Sequence, residues 1–249
     1  AEMLRGGITC CNDMYFFPEA AAQACLRLGM RIALGMIVID FPSPYGTDAD
    51  DYLRKGIATR DALRNEPLVS FCIAPHAPYT VSDRTLERIA TMALQLDVPV
   101  HIHLHETRDE VAQSLAQHGV RPLERLRRSG LPGPNLIAVH GVHLNEQEIE
   151  LLAEHACSIA HCPTSNMKLA SGIAPIAQAM NAGINIGLGT DGAASNNRLD
   201  LFREMRHAAL LAKVATGAAR ALDAHNVLRK ATLNSAAALA LDREIGSIE

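Results

Sequence analysis

At 249 residues, with 48% hydrophobic and 20% charged side chains, the chain has the make-up of an ordinary globular protein able to bury a sizeable core. A net charge of −4 and no long Lys/Arg run argue against a nucleic-acid binder, and no apolar stretch approaches the ~18 residues of a membrane span. No signal peptide is read at the start. Six cysteines without a C-x-x-C pair fit free thiols in a cytoplasmic protein rather than a disulfide framework.

Short apolar runs alternate with amphipathic stretches along the chain. The first run is 8–13, followed by helical spacing over 19–28. A longer run, 31–40, leads into the irregular Asp40-Phe41-Pro42-Ser43-Pro44-Tyr45-Gly46 and then a helix over 49–63. The third run is 68–75. After it Ser82 is placed to cap a helix reaching Leu96, with Leu86, Ile89, Ala90 and Ala93 on one face. The fourth run, 99–104, precedes a helix over 107–117. The fifth, 136–141, precedes a helix opened by Asn145, with Glu148 in capping-box position. Runs at 158–162 and 185–191 follow, with helices over 173–181, 199–213, 224–231 and 234–240. The runs are continuously apolar, as in strands buried on both faces of a parallel sheet. No linker or repeat divides them, so residues 1–249 read as one α/β domain.

The segment Val100-His101-Ile102-His103-Leu104-His105-Glu106-Thr107 carries the most chemistry. Strand alternation puts His101, His103 and His105 on one face. Imidazole is the commonest protein metal ligand, and Glu106 follows where the strand should end. His103 is the better ligand and Glu106 the better proton carrier. His101 should lie deeper and hydrogen-bond inside the fold, and His105 is left unassigned. His76, Glu106, His140, His161 and Asp191 fall at or just past the ends of different runs. Such convergence favours a (β/α)8 barrel over an open sheet, which would gather them at one switch point. Only seven runs are found where a barrel needs eight.

Other motifs fail on inspection. Gly187-Leu188-Gly189-Thr190-Asp191-Gly192 has the dinucleotide-binding spacing but opens no helix directly and lacks the later acidic residue. The glycines read better as room for a ligand beside Asp191. There is no H-E-x-x-H, no P-C-x-x-C, no G-x-S-x-G and no P-loop.

In order and content, five segments resemble the amidohydrolase superfamily, in the branch of 5′-methylthioadenosine/S-adenosylhomocysteine deaminases and related chlorohydrolases. They are Ala74-Pro75-His76-Ala77-Pro78-Tyr79-Thr80, His103-x-x-Glu106-Thr107, Ala138-x-His140-x-Val142-His143-Leu144, Ser165-Asn166-x-Lys168-Leu169 and Gly189-Thr190-Asp191-Gly192-Ala193-x-Ser195-Asn196-Asn197. The resemblance implies a (β/α)8 barrel with one zinc, or iron in its place, at the strand ends. It implies His103 and Asp191 as metal ligands and Glu106 as the proton shuttle that also holds the purine. It makes Asp191 a catalytic and substrate contact, His140 the group that orients the attacking water, and His76 a substrate contact. The implied partner is a small purine nucleoside, and homo-oligomers are common in the family. One departure stands out: the family's first barrel strand carries an H-x-H pair of ligands, and none precedes residue 8 here. The chain therefore reads as strands two to eight of a barrel. The expected activity is metal-dependent deamination of an adenosine-type nucleoside. A chlorohydrolase, a guanine-type deaminase and a non-catalytic barrel that only binds a ligand or partner stay open.

Overall fold

The computed structural model describes residues 1–248. Among them, seven strands form one parallel sheet in sequential order: β1 (Cys10–Asp13), β2 (Arg31–Val38), β3 (Val69–Pro75), β4 (Val100–Leu104), β5 (Leu136–His140), β6 (Ser158–His161) and β7 (Asn185–Leu188). The expected α/β architecture is present, a curled barrel sheet in which β1 and β7 form the two edges. The helices are α1 (Glu2–Arg5), α2 (Pro18–Arg27), α3 (Ala49–Leu63), α4 (Asp83–Leu96), α5 (Arg108–His118), α6 (Pro122–Arg128), α7 (Glu146–Glu154), α8 (Pro163–Lys168), α9 (Ile176–Asn181), α10 (Ala193–Asn196), α11 (Leu201–Thr216), α12 (Ala224–Ala231) and α13 (Leu233–Ala238).

Every expected strand forms, most of them shortened at the C-terminal end. β7 stops at Leu188 rather than 191, because Asp191 turns the chain at φ 61°. The apolar face of α4 contributes Leu86 and Ile89 to the main core, which also holds Ile73, Ile102 and Leu136 from the strands. Each such side chain contributes about 1.5–3 kcal/mol through burial. Ser82 accepts from the Thr85 amide, and Asn145 with Glu148 forms the expected capping box. Gly56 lets α3 lie directly on β2: a Cβ there would meet Met36 at 2.8 Å.

Four short helices, α1, α6, α8 and α10, were not legible as helices. α6 and α8 each carry proline in the first turn, where its missing N–H does no harm and its fixed φ favours initiation. Proline there reads as a loop signal in a bare sequence. All six cysteines are free, as expected. No helix among the described residues is long and apolar enough to cross a membrane.

Candidate active site at the strand ends

The C-terminal ends of β3, β4, β5 and β7 bring His76, His103, Glu106, His140 and Asp191 together, with Ser165 and Asn166 from α8 behind them. The His103 and His140 rings stack with centroids 5.5 Å apart, and His76 meets His103 edge-on at 5.0 Å. His103 Nδ1 lies 2.7 Å from the His76 carbonyl oxygen. A carbonyl only accepts, so Nδ1 carries the proton and donates, and Nε2 keeps its lone pair. His140 Nδ1 lies 2.9 Å from Asn166 Oδ1, which fixes that ring in the same sense. Its Nε2 then faces Glu106 Oε2 at 3.8 Å. Asp191 Oδ2 accepts from Ser165 Oγ at 2.6 Å, and its Oδ1 accepts from the Gly192 amide at 2.6 Å. His76 Nδ1 pairs with Thr80 Oγ1 at 3.1 Å.

Backbone geometry aims these groups. His105, His140 and Asp191 adopt φ of 54°, 73° and 61°. None is glycine, and left-handed conformations of this kind carry a cost of about 1–2 kcal/mol each. The chain turns sharply off each strand there and presents the side chain inward or outward.

Burial sets the charge states. It draws His76 down to about 4, with His103 adding to the effect. Burial and then His140 lower His103, against the His76 carbonyl, Asp191 and Glu106. Burial also lowers His140, opposed by Asp191 and Asn166. The imidazoles are therefore neutral near pH 7, the form that coordinates a metal. Glu106 moves upward through burial, against His103 and with Asp191. An upward shift brings a carboxyl closer to the pH at which it can both take and give a proton.

His103, with one nitrogen held by a carbonyl and the other free, is arranged as a metal-binding histidine is. Asp191 offers a carboxylate at the same strand ends. These two fit a metal, but among the described residues no three His, Cys, Asp or Glu side chains converge as a complete cage. Zinc sites normally use three or four protein ligands.

Other expectations fare differently. His101 is buried as expected, but its Nδ1 finds no hydrogen-bond partner, and His161 Nδ1 is alike. The internal hydrogen bond expected of His101 is thus not formed through Nδ1. Burial pulls both rings down to about 3. His105 does not share the face of His103. Its left-handed turn sends the ring away from the site, where Nε2 meets Glu148 Oε1 at 3.2 Å. His143 instead bonds the Ser171 carbonyl. In the segment 189–197, Asn196 is buried beside the Thr190 carbonyl and Asn197 holds Lys168.

Three supporting groups escaped the sequence reading. Arg125 is buried under the loop after β3, bonding the carbonyls of Pro78 and Val81 and the Asp83 carboxylate. Arg121 bridges Glu148 and the His143 carbonyl. Glu204 is buried in α11. For Glu204 a signal existed: Leu201, Glu204, Ala208 and Ala212 share one helical stripe, and a carboxylate does not belong on an apolar stripe without a purpose.

The profile of the Amidohydrolase family matches residues 1–249. The chain belongs to the amidohydrolase family. It is 47% identical over 249 residues to a 5-methylthioadenosine/S-adenosylhomocysteine deaminase of Saccharophagus degradans, covering all of this chain and 56% of that one. A zinc-bound crystal structure of an adenosine deaminase from Xanthomonas campestris superposes with a TM-score of 0.97 at 51% identity, over 100% of this chain and 56% of the other. A zinc complex of an atrazine chlorohydrolase from Arthrobacter aurescens gives a TM-score of 0.90 at 26% identity, over 99% and 59%. The chain thus spans a little over half the length of the proteins it matches.

Proposed function

We propose that this amidohydrolase is a metal-dependent deaminase that removes ammonia from an adenosine-type nucleoside such as 5′-methylthioadenosine or S-adenosylhomocysteine. The observation that carries the reading is the facing of Glu106 Oε2 and His140 Nε2 across 3.8 Å, beside a His103 ring whose Nδ1 is already engaged. That is a proton-carrying carboxyl, a polar imidazole edge and a candidate ligand side by side at the strand ends. The named relatives supply the substrate class and support zinc, with iron as the alternative.

His103 and Asp191 would hold the metal from this chain. When bound, it acts as a Lewis acid and makes water nucleophilic near pH 7. Asp191 takes a proton from the attacking water. Its second oxygen is held by Ser165, so the carboxylate keeps one orientation. Glu106 passes a proton to the ring nitrogen next to the attacked carbon, and its upward-shifted pKa suits that donation. His140, fixed through Nδ1 by Asn166, presents Nε2 as an acceptor and so orients the attacking water. His76, held by Thr80, lines the substrate side. Asp191 then passes the proton it took to the amine, which leaves as ammonia, while the remaining hydroxyl proton goes to Glu106.

In this reading residues 1–249 form one barrel domain of a cytoplasmic protein. It binds a small purine nucleoside and neither nucleic acid nor membrane, and it assembles as a homo-oligomer. Likeness to the chlorohydrolase supports a second reading, in which the same groups expel chloride or act on another ring. The test is product release from 5′-methylthioadenosine, S-adenosylhomocysteine, adenosine, guanine and a chlorotriazine, using zinc-loaded protein expressed from the complete gene. Ammonia from the thioether nucleosides supports deamination. Chloride release alone would replace it with the second reading.

A further inference from the structure

We propose that Glu204 is a positioning residue that clasps the first turn of α8, whose Ser165 and Asn166 hold Asp191 and His140, to the loop after β7 that carries Asp191. The proposal rests on the reading of Asp191 as a metal ligand. Glu204 is 1% exposed, and its partners are all neutral. Oε2 accepts from the Thr164 backbone amide at 3.1 Å, and Oε1 accepts from Asn196 Nδ2 at 2.8 Å. The same Asn196 amide donates to the Thr190 carbonyl at 2.6 Å. One carboxylate therefore ties the first turn of α8 to the loop after β7. Immediately beyond Thr164 stand Ser165, which bonds Asp191, and Asn166, which bonds His140. Immediately beyond Thr190 stands Asp191 itself. One helical turn later, His207 Nδ1 pairs with Thr164 Oγ1 at 2.7 Å, so α11 holds α8 twice.

The chemistry calls for a carboxylate at this point. An ionised group buried without a counter-ion is unfavourable, and an apolar side chain would serve the fold alone better. Two separate N–H donors converge on it from different loops. A carboxylate accepts from both with its two oxygens. A glutamine of the same shape has one acceptor, so it must turn an NH2 toward either Thr164 or Asn196. Glu204→Gln should therefore release one loop without changing side-chain volume.

The test uses protein expressed from the complete gene, with two readouts. The first is amide hydrogen exchange over residues 162–169 and 189–197 in the metal-free protein. Glu204→Gln should speed exchange in at least one of these segments by about tenfold, the scale for losing one charge-assisted hydrogen bond, and leave β2 and β3 unchanged. Asn196→Ala leaves Glu204 in place and should free 189–197 but not 162–169, which keeps the proposal testable if the glutamine variant does not fold. The second readout is zinc affinity by competition with a chromophoric chelator. Glu204→Gln should weaken zinc about tenfold alone, and not further when added to Asp191→Asn, because its effect passes through Asp191. Unchanged exchange in both loops, or an equal loss of zinc affinity in the Asp191→Asn background, would overturn the proposal. If the unsubstituted protein holds no zinc, the metal reading of the site fails, and the exchange result alone decides about Glu204.

Discussion

Replacing Arg125 by methionine should weaken the protein by about 3 kcal/mol. The guanidinium is 3% exposed and donates to the Pro78 and Val81 carbonyls and to Asp83. The Asp83 side chain is 56% exposed, so water replaces that partner and its loss adds little. The two carbonyls have no such recourse. Each loses a charge-assisted bond of about 1.5 kcal/mol, and methionine fills the space of the stem without supplying a donor. With an m-value of about 3 kcal/mol/M for a chain of this size, the urea midpoint should fall by about 1 M. Lysine at 125 keeps the charge but cannot fork to several acceptors, so it should recover only part of the loss. The strain falls on the loop that carries His76, whose carbonyl orients His103. A midpoint for Arg125→Met within about 0.2 M of the parent would refute the reasoning.

Asp191→Asn should reduce both zinc retention and turnover, whereas His140→Ala should reduce turnover more than zinc content. Metal analysis giving the opposite ranking would reverse the two roles. Burial tends to raise the Glu148 carboxyl, but hydrogen bonds from His105 and Arg121 outweigh it and hold the group at about 2, below its ordinary 4.5. A depressed acid contributes stability above its unfolded pKa and loses it on acidification. The urea-midpoint gap between the parent and Glu148→Gln should thus be full above about pH 5 and shrink toward pH 2; a gap independent of pH would contradict the ion-pair account. A polypeptide of residues 1–249 alone should hold zinc weakly, since no three ligand side chains converge among its described residues. One tightly held zinc in that polypeptide would show that ligands come from elsewhere, His101 included.

The strands were legible because burial on both faces writes itself as unbroken apolar runs, and His76, Glu106, His140, His161 and Asp191 fall at or just past their ends. What alternation could not reveal was where it stops. His105 sits two residues beyond His103, yet a left-handed turn at φ 54° sends it to Glu148 and out of the site. The same kind of turn at His140 and Asp191 ends their runs and aims their side chains, and nothing in the composition of Val139-His140-Gly141 specifies that sign of φ. The clasps were hidden for a different reason. Arg125 and Glu204 act on backbone groups 40 or more positions away, and such partners are set by the packing of helices on the sheet. Only the misfit of Glu204 with its apolar stripe marked either of them.

Glu106 turnover tests the account most directly. Zinc-loaded protein from the complete gene and its Glu106→Gln variant should be compared on 5′-methylthioadenosine, with ammonia release and zinc content measured on the same samples. The account predicts ammonia from the parent, and an unchanged zinc content with kcat lower by at least ~100-fold in the variant, the usual contribution of a positioned acid or base. Near-normal turnover in the zinc-loaded variant would contradict it.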